Sequence, residues 1–445
     1  MDRRTFLKYT GAGAAGAMLA GCGTDKKRRQ EGISGEMEMR LNPGNGDRVS
    51  LLGYGCMRWP MTKDADGKDI IDQEKVNALV DRAIEAGVNY FDTSPVYLQG
   101  ESEKATGIAL ARHPRSSYLI ATKLSNFGIP DHDLSLKMYY NSFEELQTEW
   151  FDYYLMHAIG RGGYAAFKQR YEDNGMMDFV MAEREAGRIR QLGFSFHGSR
   201  PQFDEMIALH DKYHFDFVQI EMNYVDWKHA DGVMNVNADY LYEQLDKREI
   251  PIVVMEPLLG GRLADLPANV ASQLKERDPD ASLASWAFRF VGTYPRILTV
   301  LSGMTYMEHL EDNLKTFCGF EPLTDEEIDF LERMAVLMKE YPTVNCTNCK
   351  YCMPCPYGID IPTIFKHYNT CVNEGLVPQS AAQKDFKRLR KAYLTSYGKA
   401  VPPERQADHC IGCKQCMVHC PQSINIPHEL HRIDHFVERM KRETL

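Results

Sequence analysis

The run Asn89-Tyr90-Phe91-Asp92-Thr93-Ser94 is the clearest sign of how this chain folds, because a short apolar segment ends abruptly in polar side chains. Before it, Glu74–Ala86 carries apolar residues at helical spacing, and after it Ser102–Arg112 does the same. A buried strand between two amphipathic helices is the repeating unit of α/β proteins. The run therefore predicts one βα unit, and its polar end marks the carboxyl end of the strand.

The same unit recurs along the middle of the chain, where short runs rich in Val, Ile, Tyr and Phe alternate with amphipathic stretches. Eight strands are predicted: Val49–Tyr54, Tyr90–Asp92, Tyr118–Thr122, Asp152–Met156, Gln191–Phe194, Phe217–Ile220, Ile252–Met255 and Leu298–Leu301. Further helices are predicted at Ser142–Trp150, Phe203–Lys212 and Tyr240–Lys247. Eight such units predict an α/β fold of the (β/α)8 TIM barrel type over residues 47–325.

A doubly wound open sheet is the alternative architecture. That fold normally carries a Gly-rich phosphate loop between its first strand and the helix that follows. Here the first strand runs into Gly53-Tyr54-Gly55-Cys56-Met57, which lacks the third glycine and leads into no helical pattern. The barrel is therefore favoured.

Four polar residues lie at or just beyond the ends of consecutive predicted strands: Asp92, Tyr97, Lys123 and His157. The carboxyl ends of barrel strands form one mouth, so these side chains should meet there. We expect Lys123 to pair with Asp92 and, by its charge, to favour the phenolate of Tyr97 and make that phenol a better acid. The alternative is that the ion pair only stabilises the barrel and that His157 is only hydrogen-bonded. Their occurrence as a set favours a proton-donating site.

The segment Asn89–Gly107, with Phe-Asp-Thr-Ser, Tyr97 and Gly100-Glu101-Ser102-Glu103, resembles the aldo-keto reductase signature, and the resemblance extends over roughly residues 48–320. Family members usually have a glycine directly after the tyrosine, whereas this chain inserts Leu98-Gln99. The resemblance implies that the four strand-end residues form a catalytic tetrad. It also implies that a nicotinamide cofactor, NADPH or NADH, passes hydride to a small carbonyl substrate while Tyr97 supplies the proton.

The resemblance also assigns residues to the nicotinamide cofactor: Ser195, Gln219, Gly303 and Asn313. Three departures weaken this match. Phe196 stands where the family often has Asn, and Met255 and Glu256 stand where it often has Tyr and Ser, so a ring that could stack on the nicotinamide is missing. Few basic residues surround Ser302-Gly303-Met304-Thr305, which leaves the preference for NADPH over NADH open.

Eight cysteines form two motifs in the last quarter of the chain: Cys346, Cys349, Cys352 and Cys355, then Cys410, Cys413, Cys416 and Cys420. Each motif ends in Cys-Pro. The second has the Cys-x2-Cys-x2-Cys-x3-Cys-Pro spacing of bacterial ferredoxins, and the first is one residue shorter before its last Cys. Ile359-Asp360-Ile361-Pro362 and Ile424-Asn425-Ile426-Pro427 repeat after them. The repeat predicts two [4Fe–4S] clusters.

Zinc sites and disulfides are the alternatives, but zinc typically takes two Cys pairs, and the repeat would be an unusual disulfide framework. By analogy with two-cluster ferredoxins, Cys420 would complete the cluster of the first motif and Cys355 that of the second. Helical patterns at Ile364–Tyr368, Asp385–Tyr393 and Leu430–Met440 predict a mostly helical ferredoxin-like domain over residues 326–445. Cys56, Cys318 and Cys371 are expected to be buried small residues.

The N-terminus resembles an export signal. Asp2-Arg3-Arg4-Thr5-Phe6-Leu7-Lys8 is followed by a short Ala/Gly-rich apolar run, as in twin-arginine signals. Leu19-Ala20-Gly21-Cys22 resembles a lipoprotein cleavage box, so residues 1–22 are predicted to be the signal, Cys22 the acylated residue and residues 23–46 a polar tether. The alternative is a disordered basic tail. These features predict a periplasmic protein or a membrane-anchored lipoprotein, which would contact the membrane only through its signal or lipid.

Composition narrows the partners. The formal net charge is −10, and no basic cluster indicates nucleic-acid binding. A hydride carries two electrons whereas a [4Fe–4S] cluster normally takes one, and no flavin-binding signal is visible. Three hypotheses remain: a nicotinamide-dependent carbonyl reductase with an appended iron–sulfur domain, a redox enzyme that exchanges electrons with a partner through its clusters, and a non-catalytic electron carrier or assembly module.

Overall fold

A computed structural model describes residues 33, 35–127, 131–230 and 235–445 of the chain. The predicted signal, the predicted lipidation site Cys22 and residues 23–32 and 34 of the predicted tether lie outside the described residues. Within these ranges no helix is both long and apolar enough to cross a bilayer.

The described residues contain twelve strands: β1 Met39–Leu41, β2 Arg48–Ser50, β3 Leu52–Gly55, β4 Met61–Lys63, β5 Asp69–Ile71, β6 Tyr90–Asp92, β7 Leu119–Leu124, β8 Phe151–Gly160, β9 Ile189–His197, β10 Phe217–Glu221, β11 Ile252–Met255 and β12 Ile297–Ser302. Eight of them form a closed barrel in the order β3-β6-β7-β8-β9-β10-β11-β12, with β12 pairing back to β3. Every pair in the barrel is parallel. The predicted TIM barrel and its eight strands are confirmed.

The first predicted strand is divided at Leu51. Its first half, β2, pairs with β1 in an antiparallel hairpin, and its second half, β3, enters the barrel. Asn42, in the turn of that hairpin, donates through Nδ2 to the hydroxyl of Tyr153 inside the barrel. The hairpin therefore closes the end of the barrel where the strands begin.

Sixteen α-helices lie in the described ranges: α1 Gln73–Glu85, α2 Ser102–Leu110, α3 His132–Leu146, α4 Gly163–Phe167, α5 Met176–Glu185, α6 Arg200–Ala208, α7 His210–Tyr213, α8 Asp226–His229, α9 Ala238–Asp246, α10 Ala268–Arg277, α11 Leu283–Gly292, α12 Met307–Phe317, α13 Asp325–Met338, α14 Ile361–Asn373, α15 Phe386–Ala400 and α16 Ile426–Lys441. One-turn 3-10 segments occur at Cys56–Arg58, Tyr97–Gly100, Arg115–Ser117, Leu259–Ala264, Pro403–Arg405, Ala407–His409 and Met417–His419, and a π turn at Lys168–Glu172.

The helix predicted at Ser142–Trp150 was placed too late in the chain. The observed helix α3 begins ten residues earlier, where the Asp131 side chain accepts a hydrogen bond from the Leu134 amide and caps it. It ends at Gln147, which has a left-handed φ of 52°. A non-glycine residue in that conformation gives no sequence signal for a helix end.

The described chain contains three hydrophobic cores, and the smallest, which includes Tyr90, Tyr153 and Phe217, lies inside the barrel. The largest core fills the layer between the barrel and its helices and includes Phe330, Leu331 and Met334 of α13. The second core joins α14, α15 and α16 through residues such as Ile364, Tyr393 and Ile433. The C-terminal region is therefore a mostly helical unit of its own, as predicted, and α13 packs on the barrel.

Candidate functional site

A cavity of about 1040 Å³ opens where the barrel strands end, which is large enough for a cofactor together with a small substrate. The predicted site residues that line it come from five different strands or the segments after them: Asp92, Tyr97, His157, Ser195, Gln219, Gly303 and Asn313. Lys123 lies behind Asp92. Cys349, Tyr351 and Pro421 of the C-terminal region line the opposite side of the same cavity.

A buried ion pair forms the floor of this cavity. Lys123 Nζ lies 2.6 Å from Asp92 Oδ1 and donates to the Thr93 carbonyl at 2.7 Å. Burial lowers the pKa of Lys123, and the adjacent Asp92 carboxylate opposes that shift. The other carboxylate oxygen, Asp92 Oδ2, is buried without a hydrogen-bond partner among the described residues. The pair is therefore fixed on one side and unsatisfied on the other.

Tyr97 stands above the ion pair on a 3-10 turn whose next two residues are the inserted Leu98 and Gln99. Both adopt left-handed φ values, of 50° and 60°, which non-glycine residues rarely take. Lys123 Nζ lies over the Tyr97 ring, 4.8 Å from its centroid. The inserted pair is thus accommodated in a strained turn that still brings the phenol beside the ammonium.

The pKa of Tyr97 shifts in the direction opposite to our expectation. Burial raises the pKa of Tyr97 well above its ordinary value of 10, and the nearby groups Asp92 and Tyr351 raise it further. Lys123 does not reverse this, because its ammonium faces the ring and its charge is balanced by Asp92. Tyr97 therefore holds its proton firmly at neutral pH.

His157, three residues before the end of β8, is a neutral imidazole. Burial lowers its pKa well below 6.5, and the positive charge of Lys123 lowers it further. Its Nδ1 lies 2.5 Å from Ser125 Oγ, and its ring packs edge-on against that of Tyr97 at 5.9 Å between centroids. With Nδ1 engaged, Nε2 is the ring nitrogen left for the cavity.

The residues predicted to hold a nicotinamide line the far side of the cavity. Ser195 Oγ accepts a hydrogen bond from the Ala158 amide at 2.8 Å. Gln219 donates through Nε2 to Met255 Sδ at 3.4 Å, whereas its Oε1 is buried without a partner among the described residues. An unsatisfied buried acceptor is costly. A carboxamide, which has N–H donors, would satisfy it, so these residues fit the group.

The part of the cavity near Gly303 and Asn313 is lined by more acidic than basic side chains. Asn313 Nδ2 donates to Ser302 Oγ at 2.9 Å, and Gly303 lies against the side chain of Arg58. Glu308 and Asp312 line the cavity here beside His309. Two carboxylates disfavour an additional phosphate nearby, which agrees with the scarcity of basic residues in the sequence.

The eight motif cysteines fall into two groups. We call Cys346, Cys349, Cys352 and Cys420 the inner thiol group and Cys355, Cys410, Cys413 and Cys416 the outer thiol group. Burial raises the pKa of Cys352, and the neighbouring Cys349, Cys346 and Cys420 raise it further.

Burial likewise raises the pKa of Cys416 to about 11, with Cys410, Cys413 and Cys355 adding to the shift. Each group therefore takes its fourth cysteine from the other motif.

The inner thiol group suits a cluster rather than a single ion. It lines a small cavity with the apolar side chains of Ile361, Phe365 and Ile424. Among the described residues, no three Cys, His, Asp or Glu side chains converge closely enough to hold one metal ion. A cubane takes one cysteine at each iron, so its thiols surround a volume. All eleven described cysteines are free thiols, and Cys56, Cys318 and Cys371 are buried.

The two motifs have the same backbone as well as the same spacing. Asn348 and Gly412, each two residues after the first cysteine, have positive φ values of 55° and 73°. Lys350 and Lys414, each four residues after it, have φ values of 66° and 62°. The loops are therefore structural repeats.

The helices after the motifs begin alike too. The side chains of Asp360 and Asn425 cap α14 and α16, and each helix has proline in its first turn.

The C-terminal unit is docked across the barrel mouth. Arg161, after β8, donates through Nη2 to the carbonyls of Cys420 and Pro421. Arg58 donates to the Thr347 carbonyl at 2.6 Å, and a Cβ on Gly260 would overlap the backbone of Thr347. The inner thiol group is consequently held beside the cavity.

Sequence reasoning missed Tyr351 and Arg161 as parts of this site. Tyr351 lies between two cysteines of a motif, so its pattern indicated only the thiol site. Arg161 lies in a Gly-rich loop after the fourth barrel strand, and nothing in the local sequence indicates its partner. Only the docking of the two units assigns them a place.

Three parts of the chain match different families of known proteins. Residues 51–335 match the model of the aldo/keto reductase family, and residues 345–425 match that of the 4Fe-4S dicluster domain. Residues 1–20 match the twin-arginine translocation signal, so the chain carries the address for that export route.

Two relatives are similar in sequence to roughly two thirds of this chain. "Uncharacterized oxidoreductase YqkF" of Bacillus subtilis is 24% identical over 316 residues, which is 64% of this chain and 92% of the relative. L-galactose dehydrogenase of Arabidopsis thaliana is 23% identical over 329 residues, 68% of this chain and 95% of the relative.

Two solved structures, both with a TM-score of 0.52, share the fold. The holo form of aldo-keto reductase AKR11C1 from Bacillus halodurans is 20% identical, and the match covers 67% of this chain and 96% of that structure. An aldo-keto reductase from Klebsiella pneumoniae in complex with NADPH is 18% identical, and the match covers 68% of this chain and 96% of that structure. With the family model matching most of its length, the chain belongs to the aldo/keto reductase family of oxidoreductases and carries a 4Fe-4S dicluster domain after the barrel.

Proposed function

We propose that the chain reduces a small carbonyl compound with NADPH or NADH, with Tyr97 as the proton donor. The observation that supports this best is that the four tetrad residues and the four proposed cofactor residues surround or underlie a single cavity. Gln219 Oε1 and Asp92 Oδ2, buried and unpartnered among the described residues, both belong to side chains that line it.

In this proposal a bound nicotinamide supplies hydride to the carbonyl carbon. Tyr97, kept protonated by burial, donates its proton to the carbonyl oxygen as negative charge develops there. The ammonium of Lys123 stabilises the phenolate that remains, and Asp92 fixes that ammonium in place. The Ser125 hydroxyl donates to His157 Nδ1, which leaves Nε2 as the donor that orients the carbonyl oxygen.

The test is a pair of measurements on the full chain with its clusters loaded. Titration with NADPH and NADH by fluorescence measures cofactor binding, and aldehyde-dependent oxidation of the cofactor measures activity. Tyr97→Phe is expected to abolish reduction while leaving cofactor binding unchanged. Tyr140→Phe, at a half-exposed tyrosine on α3, is the matched control and is expected to change neither. Full activity of Tyr97→Phe would exclude Tyr97 as the donor.

We propose further that each thiol group binds one [4Fe–4S] cluster. The mutual proximity of the four inner thiols, the matching proximity of the outer four and the repeated loop backbone support two clusters with exchanged fourth ligands. Substitution of the inner thiol Cys420 by serine is the direct test and is described in the Discussion.

A second candidate function is favoured by one observation, the position of Cys349 in the wall of the cavity. Here the clusters, not a nicotinamide, exchange electrons between the cavity and a redox partner protein. Carbonyl reduction takes two electrons and two protons: two clusters give one electron each, Tyr97 gives one proton to the carbonyl oxygen, and water gives the other to the carbonyl carbon. Protein reduced with dithionite and freed of excess reductant would then reduce an aldehyde without nicotinamide, and its visible absorption would recover. No recovery would exclude this route.

We propose that Cys22 becomes the acylated first residue after signal cleavage, which would make the exported chain a membrane-anchored lipoprotein rather than a free periplasmic protein. Mass spectrometry of the mature N-terminus tests this. Acyl chains are expected on Cys22, and an unmodified N-terminus at another residue would contradict it.

A further inference from the structure

We propose that Tyr351, a residue of the dicluster domain, forms one wall of the substrate pocket and selects carbonyl compounds in which the carbonyl is attached to a flat aromatic ring. This rests on the proposed function, because it assigns a substrate class to the same cavity. It adds a specificity-determining residue that does not belong to the barrel.

The position of Tyr351 carries the argument. It lies between Cys349 and Cys352 and lines the cavity from the side opposite the barrel floor. Tyr97 lines the same cavity. A substrate whose oxygen is within reach of Tyr97 would therefore have Tyr351 as a neighbour.

The docking contacts fix this position. Arg161 binds the backbone at Cys420 and Pro421, and Arg58 binds the backbone at Thr347, four residues before Tyr351. A cluster bound by the inner thiol group, as proposed above, would hold the motif loop itself. A side chain anchored on both sides makes a defined pocket wall, unlike one on a free surface loop.

Two further rings, those of Phe127 and His157, line the pocket near Tyr97. The ring of Phe127 lies 4.9 Å from that of His157, which in turn lies 5.9 Å from the ring of Tyr97. With Tyr351 opposite, rings surround the reacting position on several sides. Aromatic groups gain from offset or edge-on contacts with other rings beyond the burial of apolar area. The pocket therefore favours a ring-bearing carbonyl compound over an aliphatic one.

The experiment compares two probes, 4-nitrobenzaldehyde and hexanal, with the full chain in its cluster-loaded form. In Tyr351→Leu, the ratio of kcat/KM for the aromatic over the aliphatic aldehyde is expected to fall about three- to tenfold, the loss of one aromatic contact. Tyr351→Phe keeps the ring and is expected to keep the ratio. Tyr357→Leu, at an exposed tyrosine in the same domain, is the control and should also keep it. Iron content and visible absorption of each variant establish that the clusters remain.

A second measurement separates this inference from the proposed function. Calorimetry gives the dissociation constant of 4-nitrobenzyl alcohol, the product alcohol, without any turnover. Weaker binding to Tyr351→Leu but not to Tyr357→Leu supports the inference even if neither aldehyde is reduced, an outcome that would contradict only the proposed function. An unchanged aldehyde ratio, no alcohol binding to the parent protein, or a change confined to the nicotinamide dissociation constant would overturn it, the last because Tyr351 would then contact the cofactor.

Discussion

Replacement of Arg161 by alanine should release the dicluster domain from the barrel mouth. One terminal nitrogen of this guanidinium reaches the carbonyls of Cys420 and Pro421, the latter at 2.7 Å, and lies 3.3 Å from Ser423 Oγ. The contacts join residues more than 250 positions apart in sequence, at the segment that contributes the fourth inner thiol. Their loss would act on docking and not on the barrel itself.

The size of the effect follows from the hydrogen bonds lost. A hydrogen bond to a charged group contributes about 1.5–3 kcal/mol, and one N–H2 group can make two at a time. Because Arg161 is only partly buried and water can replace part of each contact, we expect a cost of about 2–4 kcal/mol. That is an increase of about 30- to 1,000-fold in the equilibrium constant for opening the interface. Arg161→Lys, which keeps the charge without the planar fork, should give a smaller increase.

Hydrogen exchange measures this directly. Peptides covering residues 345–353 and 417–425 should exchange faster in Arg161→Ala, whereas peptides from the barrel hairpin at 39–50 should not change. Arg112→Ala is the control, because its ion pair with Asp81 is about half exposed and should contribute less than about 1 kcal/mol. Motif peptides that exchange at the parental rate, or hairpin peptides that accelerate equally, would refute the reasoning.

Three further outcomes are expected. Burial raises the pKa of Glu103 from 4.5 to about 7; the folded chain then holds this proton more tightly than the unfolded chain, so the free energy of unfolding should fall by about 3 kcal/mol as pH rises from about 4.5 to about 7. Glu103→Gln should flatten that slope in denaturant titrations, and an unchanged slope would contradict the assignment. Gly260→Ala, at a φ of 70° against the Thr347 backbone, should weaken docking and accelerate exchange of the motif peptides; Gly261→Ala, at a φ of 100° where a Cβ meets open space, carries the backbone strain without the clash and should accelerate that exchange less. Cys420→Ser should remove one cluster and about half of the iron, as measured by electron paramagnetic resonance and iron analysis, and leave the outer cluster in place; loss of the outer cluster alone would contradict the grouping of thiols.

Sequence periodicity was sufficient for the barrel because its strands are short, apolar and separated by amphipathic helices. Tyr90–Asp92 and Ile252–Met255 were located to the residue. The end of α3 was not, because Gln147 takes a glycine-like conformation without being glycine. Local pattern therefore predicts where apolar faces must be, but not where an individual backbone turn departs from its usual residue.

The candidate site, too, could be predicted from the sequence only in part. The strand-end residues Asp92, Lys123 and His157 could be found because a barrel brings strand ends together whatever the details of packing. The shift in the pKa of Tyr97 could not be predicted, since it depends on how deeply the folded chain buries the phenol and on the placement of Asp92 and Tyr351 around it. Tyr351 was missed because its role depends on the relative placement of two units, and no short-range spacing encodes that placement.

The pocket that we assign to the substrate has one wall on each of two units with separate hydrophobic cores. Its shape would therefore depend both on synthesis of the chain and on the supply of iron. In the proposed function, the motif loop that bears Tyr351 is held in shape by thiolates bound to iron. Iron shortage before export would therefore deform a pocket whose proposed hydride chemistry uses no iron, and a fully translated, correctly addressed chain would leave the cytoplasm unable to recognise its substrate. Metal supply would thus set the fraction of exported molecules that are competent, even if no electron ever passes through the clusters.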